Sequence, residues 1–321
     1  MNLQLLTENL TNPALLFFLL GIVAVYLKSD LEIPANSSKF ISIYLLFAIG
    51  FKGGQELSHE DFNLEIGLSM LFAIGTALAV PIYTFFILRR KFSIDDSGAL
   101  AAAYGSVSAV TFVTAVSYLE MHHLAPDGHM VAIMALMESP AIIAGLLLIS
   151  IFNKQKNEPS AARKAIHHSL TNSSVLLILG SLVIGYLASA EQAQGIKPFT
   201  NDLFKGFLAI FLLDMGIVSG KKLGSLFKQG WFPFVFGVLI PLVNGVIVAV
   251  LSGFVTHEIA NRFIFAVLAA SASYIAVPAA VKIAVPKANP GLYLPMALGV
   301  TFPINITIGL PLYLWVVQST V

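Results

Sequence analysis

Apolar runs of about 20 residues recur along almost the whole chain, and this recurrence limits the fold more than any other feature. A helix of that length crosses the hydrocarbon core of a bilayer, where every backbone polar group must be hydrogen-bonded within the protein. Only 11% of the residues are charged and 57% are hydrophobic, so no segment is left to form a soluble domain of useful size. The sequence therefore predicts an all-α membrane protein with many spans.

The hydrophobic runs predict ten transmembrane spans, separated by turns that contain proline, glycine and aspartate. The first run is preceded by no lysine or arginine, so we interpret it as a retained helix and not as a cleaved signal peptide. The net charge of +1 indicates no nucleic-acid partner, and the absence of cysteine excludes disulfides and thiolate metal sites. The predicted spans are 13–28, 40–57, 65–88, 97–119, 129–152, 171–190, 200–220, 231–255, 260–284 and 291–317.

Lysine and arginine are distributed unevenly between the two sides of these spans. Of the 18 basic residues, 4 fall on one side (Lys52, Lys197, Lys205 and Arg262), which leaves 14 on the other. Cytoplasmic loops carry the excess of basic residues, so we predict an inner (cytoplasmic) membrane protein with both termini on the non-cytoplasmic side. Three histidines, at positions 122, 123 and 129, are expected to be solvated on that same non-cytoplasmic side.

The second half of the chain repeats the first. Residues 11–27 align without gaps on residues 171–187, with 7 identities among 17 positions. Four more pairs of segments follow in the same order: 49–57 with 215–223, 78–86 with 238–246, 101–110 with 268–277, and 137–143 with 300–306. We therefore predict two five-helix repeats, in residues 1–152 and 171–321, joined by a cytoplasmic linker at 153–170. An odd number of spans inverts the second repeat, which is typical of secondary transporters.

Spans 4 and 9 each contain a stretch that weakens a helix near the middle of the membrane. These stretches are Gly105 to Ser108 and Ser271 to Ser273, at matching places in the two repeats. A broken helix survives in a bilayer only where protein or a water-lined cavity covers it. Two crossing broken helices direct two half-helix N-termini at one point, which favours an anion. The alternative, close packing of helices through small residues, is weakened by the matching positions.

Two carboxylates lie inside predicted spans, Asp214 and Glu138, and such residues are functional by default. Glu138 lies two residues before Pro140, where a kink frees carbonyl groups, so it suits a cation ligand. The alternative is a buried carboxylate that is bonded to a neighbouring helix. An anion entering a negative-inside cell climbs about 2.3 kcal/mol per 100 mV, and a cation bound beside it would cancel that charge. We therefore expect a symporter.

These motifs together resemble the sodium-dependent bicarbonate transporters of the SbtA type over nearly the full chain. The resemblance implies a homotrimer of elevator-type transporters in a lipid bilayer, with spans 1, 2, 6 and 7 as a fixed gate domain and the others as a mobile core. The matching segments, in order, are "IGFKGG" (49–54), "GSVSAVT" (105–111), "MESPA" (137–141), "AASASYIAVP" (269–278), "ANPGLY" (288–293) and "TFPINITIGLP" (301–311).

The resemblance also implies where the ligands bind. Bicarbonate would lie between the broken spans, at Gly105, Ser106, Val107, Ser108, Ser271, Ala272 and Ser273. Na⁺, the coupling ion, would lie beside it at Ser108, Thr111, Glu138, Ser271 and Tyr274, with no transition metal. This chain departs from the family in two ways. Tyr274 replaces an aspartate, and the linker is shorter than the one through which cyanobacterial members bind a PII-like regulatory protein.

The leading hypothesis is Na⁺-coupled uptake of bicarbonate, by a transporter and not an enzyme. A rival keeps the fold but carries another small anion or carboxylate with H⁺ or Na⁺, and Tyr274 would mark the change. A passive anion channel is a third possibility. An intramembrane aspartyl protease at Asp214 is disfavoured, because the repeat predicts no second acid to share a proton with it.

Overall fold

The computed structural model describes residues 12–60, 62–152, 173–226, 230–274 and 276–320, and the predicted linker at 153–170 lies outside the described residues. Within these ranges the chain is helical and contains no strand. The helices are α1 (Pro13–Tyr26), α2 (Ala35–Leu57), α3 (Leu64–Leu88), α4 (Ile94–Gly105), α5 (Ala109–Met121), α6 (His129–Phe152), α7 (Ser173–Leu187), α8 (Ala190–Lys197), α9 (Phe204–Leu226), α10 (Trp231–Leu251), α11 (Ile259–Ala270), α12 (Ala276–Ala284) and α13 (Pro290–Gln318).

Six of the helical segments in these ranges are long and apolar enough to cross a membrane, and three more are apolar but shorter. The protein is therefore a multi-pass membrane protein. The plan of ten spans in two inverted repeats stays a prediction. The six segments are Leu64–Leu88, Ile94–Met121, His129–Phe152, Ala190–Leu223, Trp231–Phe254 and Pro290–Gln318, and the shorter ones are Pro13–Tyr26, Leu176–Leu187 and Ile259–Ala270.

Side-chain caps set several helix starts. Asn12 and Asn63 accept hydrogen bonds from backbone N–H groups in the first turns of α1 and α3, which satisfies donors that have no partner inside the helix. The predicted span 7, at 200–220, lies within a longer helical segment, Ala190–Leu223. Ser189 and Gln192 form a capping box that starts the helix at Ala190, and a π-helical turn at Pro198–Asp202 leads on to α9.

Four helices, α1, α2, α7 and α9, form two close pairs, α1 with α9 and α2 with α7, and α2 also contacts α9. We call these the four-helix group. Glycine allows the close approach in both pairs. A Cβ at Gly216 of α9 would overlap the Phe18 carbonyl of α1, and one at Gly54 of α2 would overlap the Leu182 carbonyl of α7. Small residues bring membrane helices together in this way.

The remaining helices form the core that holds the two interrupted segments. Helices α3, α4 and α6 pack on one another, and α10, α11 and α13 do the same. The segment from Ile94 to Met121 contains α4 and α5, and 94% of its most apolar 18-residue stretch is buried inside the protein. The first interruption is therefore covered by protein, as an open backbone in a membrane must be.

Contacts between the helices define two ends of the molecule. We call them the Lys39 end, where α2 and α4 begin, and the Lys52 end, where α2 and α5 finish. At the Lys52 end, Glu120 of α5 lies between two lysines of the four-helix group. Its carboxylate is 2.7 Å from the Lys52 Nζ of α2 and 3.6 Å from the Lys205 Nζ of α9.

One sequence expectation at the Lys52 end is wrong. His129 is not solvated: it is 3% exposed, and its Nδ1 lies 2.8 Å from the Glu60 carboxylate. Arg262, which lies in the predicted span 9, is buried in α11, where its guanidinium donates to the Ala249 carbonyl (3.0 Å) and the Thr320 hydroxyl (2.6 Å). A buried arginine requires such partners, and partners this distant in sequence cannot be read from hydropathy.

Candidate functional site

The first interruption lies between α4 and α5, at Ser106 to Ser108. Gly105 ends α4 where the backbone passes directly over the ring of Pro81, so a Cβ at this position would overlap that ring. Ser106 and Ser108 have extended backbones. The Ser108 hydroxyl then caps α5 by accepting from the Thr111 N–H at 3.2 Å. The glycine and serines that weaken a helix in the sequence therefore end one helix and begin the next.

The second interruption follows the same plan between α11 and α12. Ser271 is extended after Ala270, the last residue of α11, and α12 begins at Ala276. The Ser273 hydroxyl accepts a long hydrogen bond of 3.4 Å from the Val277 N–H in the first turn of α12. Each interruption thus places a serine hydroxyl at the start of the half-helix that follows.

The two interruptions cross and bond to each other. The Ser108 N–H donates to the Ser271 hydroxyl at 3.0 Å, and the Ser273 N–H donates to the Ala103 carbonyl at 2.8 Å. The Ser271 hydroxyl in turn donates to the Leu268 carbonyl at 2.8 Å. These reciprocal bonds satisfy part of the backbone that the missing helical turns leave open, and they bring the starts of α5 and α12 to one place.

A small cavity of about 20 Å³ lies at this crossing, and we call it the crossing chamber. It has room for roughly one water molecule. Its wall combines both half-helix starts with α6 and one residue of α7. The lining residues are Val107, Ser108, Ala109, Met134, Ala135, Glu138, Ile178, Ser273, Tyr274 and Ala276.

The Glu138 carboxylate faces this chamber without a partner. Among the described residues it makes no hydrogen bond or ion pair, whereas the backbone carbonyl of Glu138 lies 3.5 Å from the Ser106 hydroxyl. Glu138 is half-buried, and an unpaired carboxylate that is partly removed from water is unfavourable when charged. A bound cation or a proton would stabilise it, and this distinguishes the site chemically.

The predicted ligand residues divide into two sets. Five of them line the chamber: Val107, Ser108, Glu138, Ser273 and Tyr274. The other five are placed around it and are fully packed. Gly105 packs on Pro81, Ser106 is 0% exposed beside the Glu138 carbonyl, Thr111 donates its N–H to Ser108, Ser271 is hydrogen-bonded twice, and Ala272 belongs to the hydrophobic core.

Two buried asparagines that the sequence analysis missed hold the end of α11. The Asn244 amide of α10 donates to the Ala269 carbonyl at 3.2 Å, and the Asn305 amide of α13 donates to the Ala270 carbonyl at 2.7 Å. Each asparagine oxygen accepts from a tyrosine hydroxyl, Tyr83 for Asn244 and Tyr313 for Asn305. The available signal was an amide inside an apolar span shortly after a proline, in "PLVN" and "PIN".

A second and much larger cavity, of about 740 Å³, reaches from the Lys39 end toward the interruptions, and we call it the wide cavity. It lies mainly between helices of the four-helix group, and Tyr274 and Leu298 belong to its wall. Asp214 lines this cavity and not the crossing chamber, and its carboxylate accepts a hydrogen bond from the Ser38 hydroxyl. Asp214 is therefore a partnered residue of the four-helix group, outside the chamber wall.

The comparisons with known proteins agree with this architecture. The model of the Na⁺-dependent bicarbonate transporter superfamily matches residues 13–318, which is nearly the whole chain. No curated protein matches it. The matched range includes both interruptions, Glu138 and the four-helix group. The resemblance noted from the sequence is confirmed at the level of the family: this membrane protein belongs to the Na⁺-dependent bicarbonate transporter superfamily.

Proposed function

We propose that this transporter carries bicarbonate into the cell together with Na⁺, and that both bind at the crossing of the two interrupted helices. The observation that carries the proposal is the unpaired Glu138 carboxylate in the chamber where α5 and α12 begin. The half-helix starts provide positive dipole ends for an anion. The carboxylate, together with the Ser108 hydroxyl and backbone carbonyls, provides oxygen ligands for a cation.

The energies favour coupled binding. A helix terminus contributes about 0.3–1 kcal/mol to anion binding, and up to about 2 kcal/mol when it is partly buried. Removing an ion from water still costs several kcal/mol in a protein. Two termini and a few hydroxyls are therefore too weak on their own, whereas a cation held by Glu138 next to the anion offsets the difference. The cation also neutralises the charge that crosses the membrane potential.

The inverted repeat and the elevator movement are part of this proposal. The pairing of α1 with α9 and of α2 with α7 supports them, since exchanging the two predicted repeats turns one pair into the other. The serine interruptions at matching positions support them as well. The excess of basic residues around Lys39 supports a cytoplasmic Lys39 end. We extend the proposal to an inner-membrane homotrimer, as the family resemblance implies.

A second candidate is transport of another small anion or carboxylate, coupled to H⁺ or Na⁺. The observation that favours it is Tyr274, a neutral phenol in the chamber wall where the family has an aspartate. With one carboxylate fewer, Glu138 is the only acidic side chain that lines the chamber in the described structure. A single carboxylate that binds and releases a proton is sufficient to couple an anion to H⁺.

Uptake into proteoliposomes separates these candidates. Labelled bicarbonate is followed with an inward Na⁺ gradient, with a pH gradient alone, and with neither. We expect saturable uptake that requires the Na⁺ gradient and that excess unlabelled bicarbonate suppresses. Uptake that follows the pH gradient and ignores Na⁺ would establish the second candidate, and flux without saturation would indicate a channel.

Glu138→Gln tests the site itself, with Glu32→Gln as the control. Glu32 is an exposed carboxylate in the loop before α2, so its replacement changes the charge without touching the chamber. We expect Glu138→Gln to raise the Na⁺ concentration that uptake requires and Glu32→Gln to leave it unchanged. Equal Na⁺ dependence in both variants would remove Glu138 from the cation site.

A further inference from the structure

Tyr274 is the one residue, among those that the structure describes, that lines both the crossing chamber and the wide cavity. Its side chain therefore stands between a space of about 20 Å³ and one of about 740 Å³. The wide cavity opens toward the Lys39 end, where Lys39 and Ser42 of α2 belong to its wall. A ligand that moves between the chamber and this end has to pass the phenol ring.

The chamber is too small for the anion as it stands. Its volume accommodates roughly one water molecule, whereas bicarbonate has four heavy atoms. Most of the wall cannot yield, because Ala135 and Ala276 are short side chains on packed helices, and Val107 and Met134 are buried in the core. Tyr274 differs from them, since the space behind its ring is the wide cavity.

The contacts of Tyr274 are mainly apolar, because it packs against both hydrophobic clusters of the molecule. Its ring lies edge-on to Phe302 of α13, with ring centroids 6.2 Å apart. Its hydroxyl is buried and faces the Ser108 hydroxyl, but it does not reach hydrogen-bonding geometry with any described group. A buried hydroxyl without a partner is unfavourable, so the closed position lacks the polar bond that would fix it.

We propose that Tyr274 is the inner gate of the crossing chamber: its ring closes the chamber on the side of the wide cavity and swings into that cavity to admit or release the anion. This inference rests on the proposed function for the identity of the anion. Closure of the chamber is a separate property and can be measured without any substrate.

The chain contains no cysteine, so one introduced thiol reports access without background. Ala135→Cys places a thiol in the chamber wall, and the rate of its reaction with a membrane-impermeant maleimide is measured from each face of the membrane. The labelling rate is compared among three proteins, one with the native Tyr274, one with Tyr274→Phe and one with Tyr274→Ala. Ser42→Cys, a thiol in the wide cavity, is the matched control that is accessible whatever residue stands at position 274.

We expect slow labelling of the chamber thiol with tyrosine and with Tyr274→Phe, which keeps the ring. With Tyr274→Ala we expect labelling to be at least about tenfold faster, and only from the Lys39 end, because the closed population is lost. Equal rates with tyrosine and alanine would overturn the gate, as would acceleration from the Lys52 end. If Tyr274→Ala does not fold, Phe302→Leu replaces it, since it removes the ring contact and must also speed labelling.

Bicarbonate uptake in the same variants keeps the two proposals apart. If Tyr274→Ala speeds labelling but the protein does not transport bicarbonate, the gate proposal stands and the substrate proposal is wrong. If the protein shows Na⁺-coupled bicarbonate uptake but the labelling rate does not depend on position 274, the substrate proposal stands and the gate proposal is wrong.

Discussion

Glu138 in α6 and Thr301 in α13 occupy matching positions of the aligned segments 137–143 and 300–306, and each stands two residues before a proline. Their surroundings differ. The Thr301 hydroxyl donates to the Gly237 carbonyl at 2.8 Å and lies 2.8 Å from the Tyr104 hydroxyl, and the residue is fully buried. The Glu138 carboxylate has no such partner within the described chain and faces the chamber instead.

The surroundings of the two interruptions differ in the same way, with more hydrogen-bonded polar side chains in the second half of the chain. The carbonyls at the end of α11 are bonded by Asn244 and Asn305, and each amide is held in turn by a tyrosine. The aligned positions in the first half are Thr84, which bonds within its own helix, and Ile142, which is apolar. The second half of the chain thus holds its interrupted helix with hydrogen-bonded polar groups, whereas the first half places a carboxylate without a partner at the chamber. Fully bonded polar groups make a rigid support, and the site that we propose lies at the carboxylate without a partner.

Ser273→Leu should have the largest effect. Leucine at this position fills the chamber of about 20 Å³, so we expect uptake to be abolished while the protein still elutes as a folded oligomer. The control is Ser42→Leu in the wide cavity, where the added side chain has free space. Normal uptake by Ser273→Leu would mean that the anion does not bind at the crossing.

Glu138→Gln should have the next largest effect. Replacing a charged ligand by a neutral one removes about 1.5–3 kcal/mol of interaction, or roughly 10- to 100-fold in cation affinity. The Na⁺ concentration that gives half-maximal uptake should rise accordingly, while thermal stability stays the same or increases. A fall in stability without a change in Na⁺ dependence would make Glu138 a structural residue like Thr301.

Asn305→Ala should act on stability. It leaves the Ala270 carbonyl without its bond and the Tyr313 hydroxyl with only the Pro241 carbonyl at 3.3 Å, and an unsatisfied buried group costs about 1–3 kcal/mol. We expect a lower melting temperature in detergent, and unchanged Na⁺ dependence in the fraction that remains folded. Asn36→Ala, at an exposed position of α2, should leave the melting temperature unchanged.

Thr301→Val should give the smallest change, because valine keeps the shape and removes only the hydroxyl. A buried hydrogen bond contributes about 0.5–1.5 kcal/mol net, so a modest drop in melting temperature is expected. Thr114→Val is the control, since Thr114 bonds only to the Val110 carbonyl of its own helix. A loss of Na⁺ dependence in Thr301→Val would contradict the division of roles between the two halves.

Local chemistry explains which parts could be predicted from the sequence. Glycine and serine near the centre of an apolar span are unfavourable in a helix, so both interruptions were predictable, and an acid in such a span pointed to Glu138. The amides of Asn244 and Asn305 and the pairing of Glu120 with Lys52 were not. Those contacts join residues 25 to 68 positions apart, and only the packing of the helices brings them together.

The glycine crossings limit how this molecule can rearrange. With the Gly216 backbone against the Phe18 carbonyl, and Gly54 against that of Leu182, neither pair can slide without a collision of main-chain atoms. We therefore expect the four helices to travel, or to stay still, as one block. Any surface along which the block slides has to lie on its outside, where Glu120 of α5 reaches Lys52 and Lys205 at the Lys52 end.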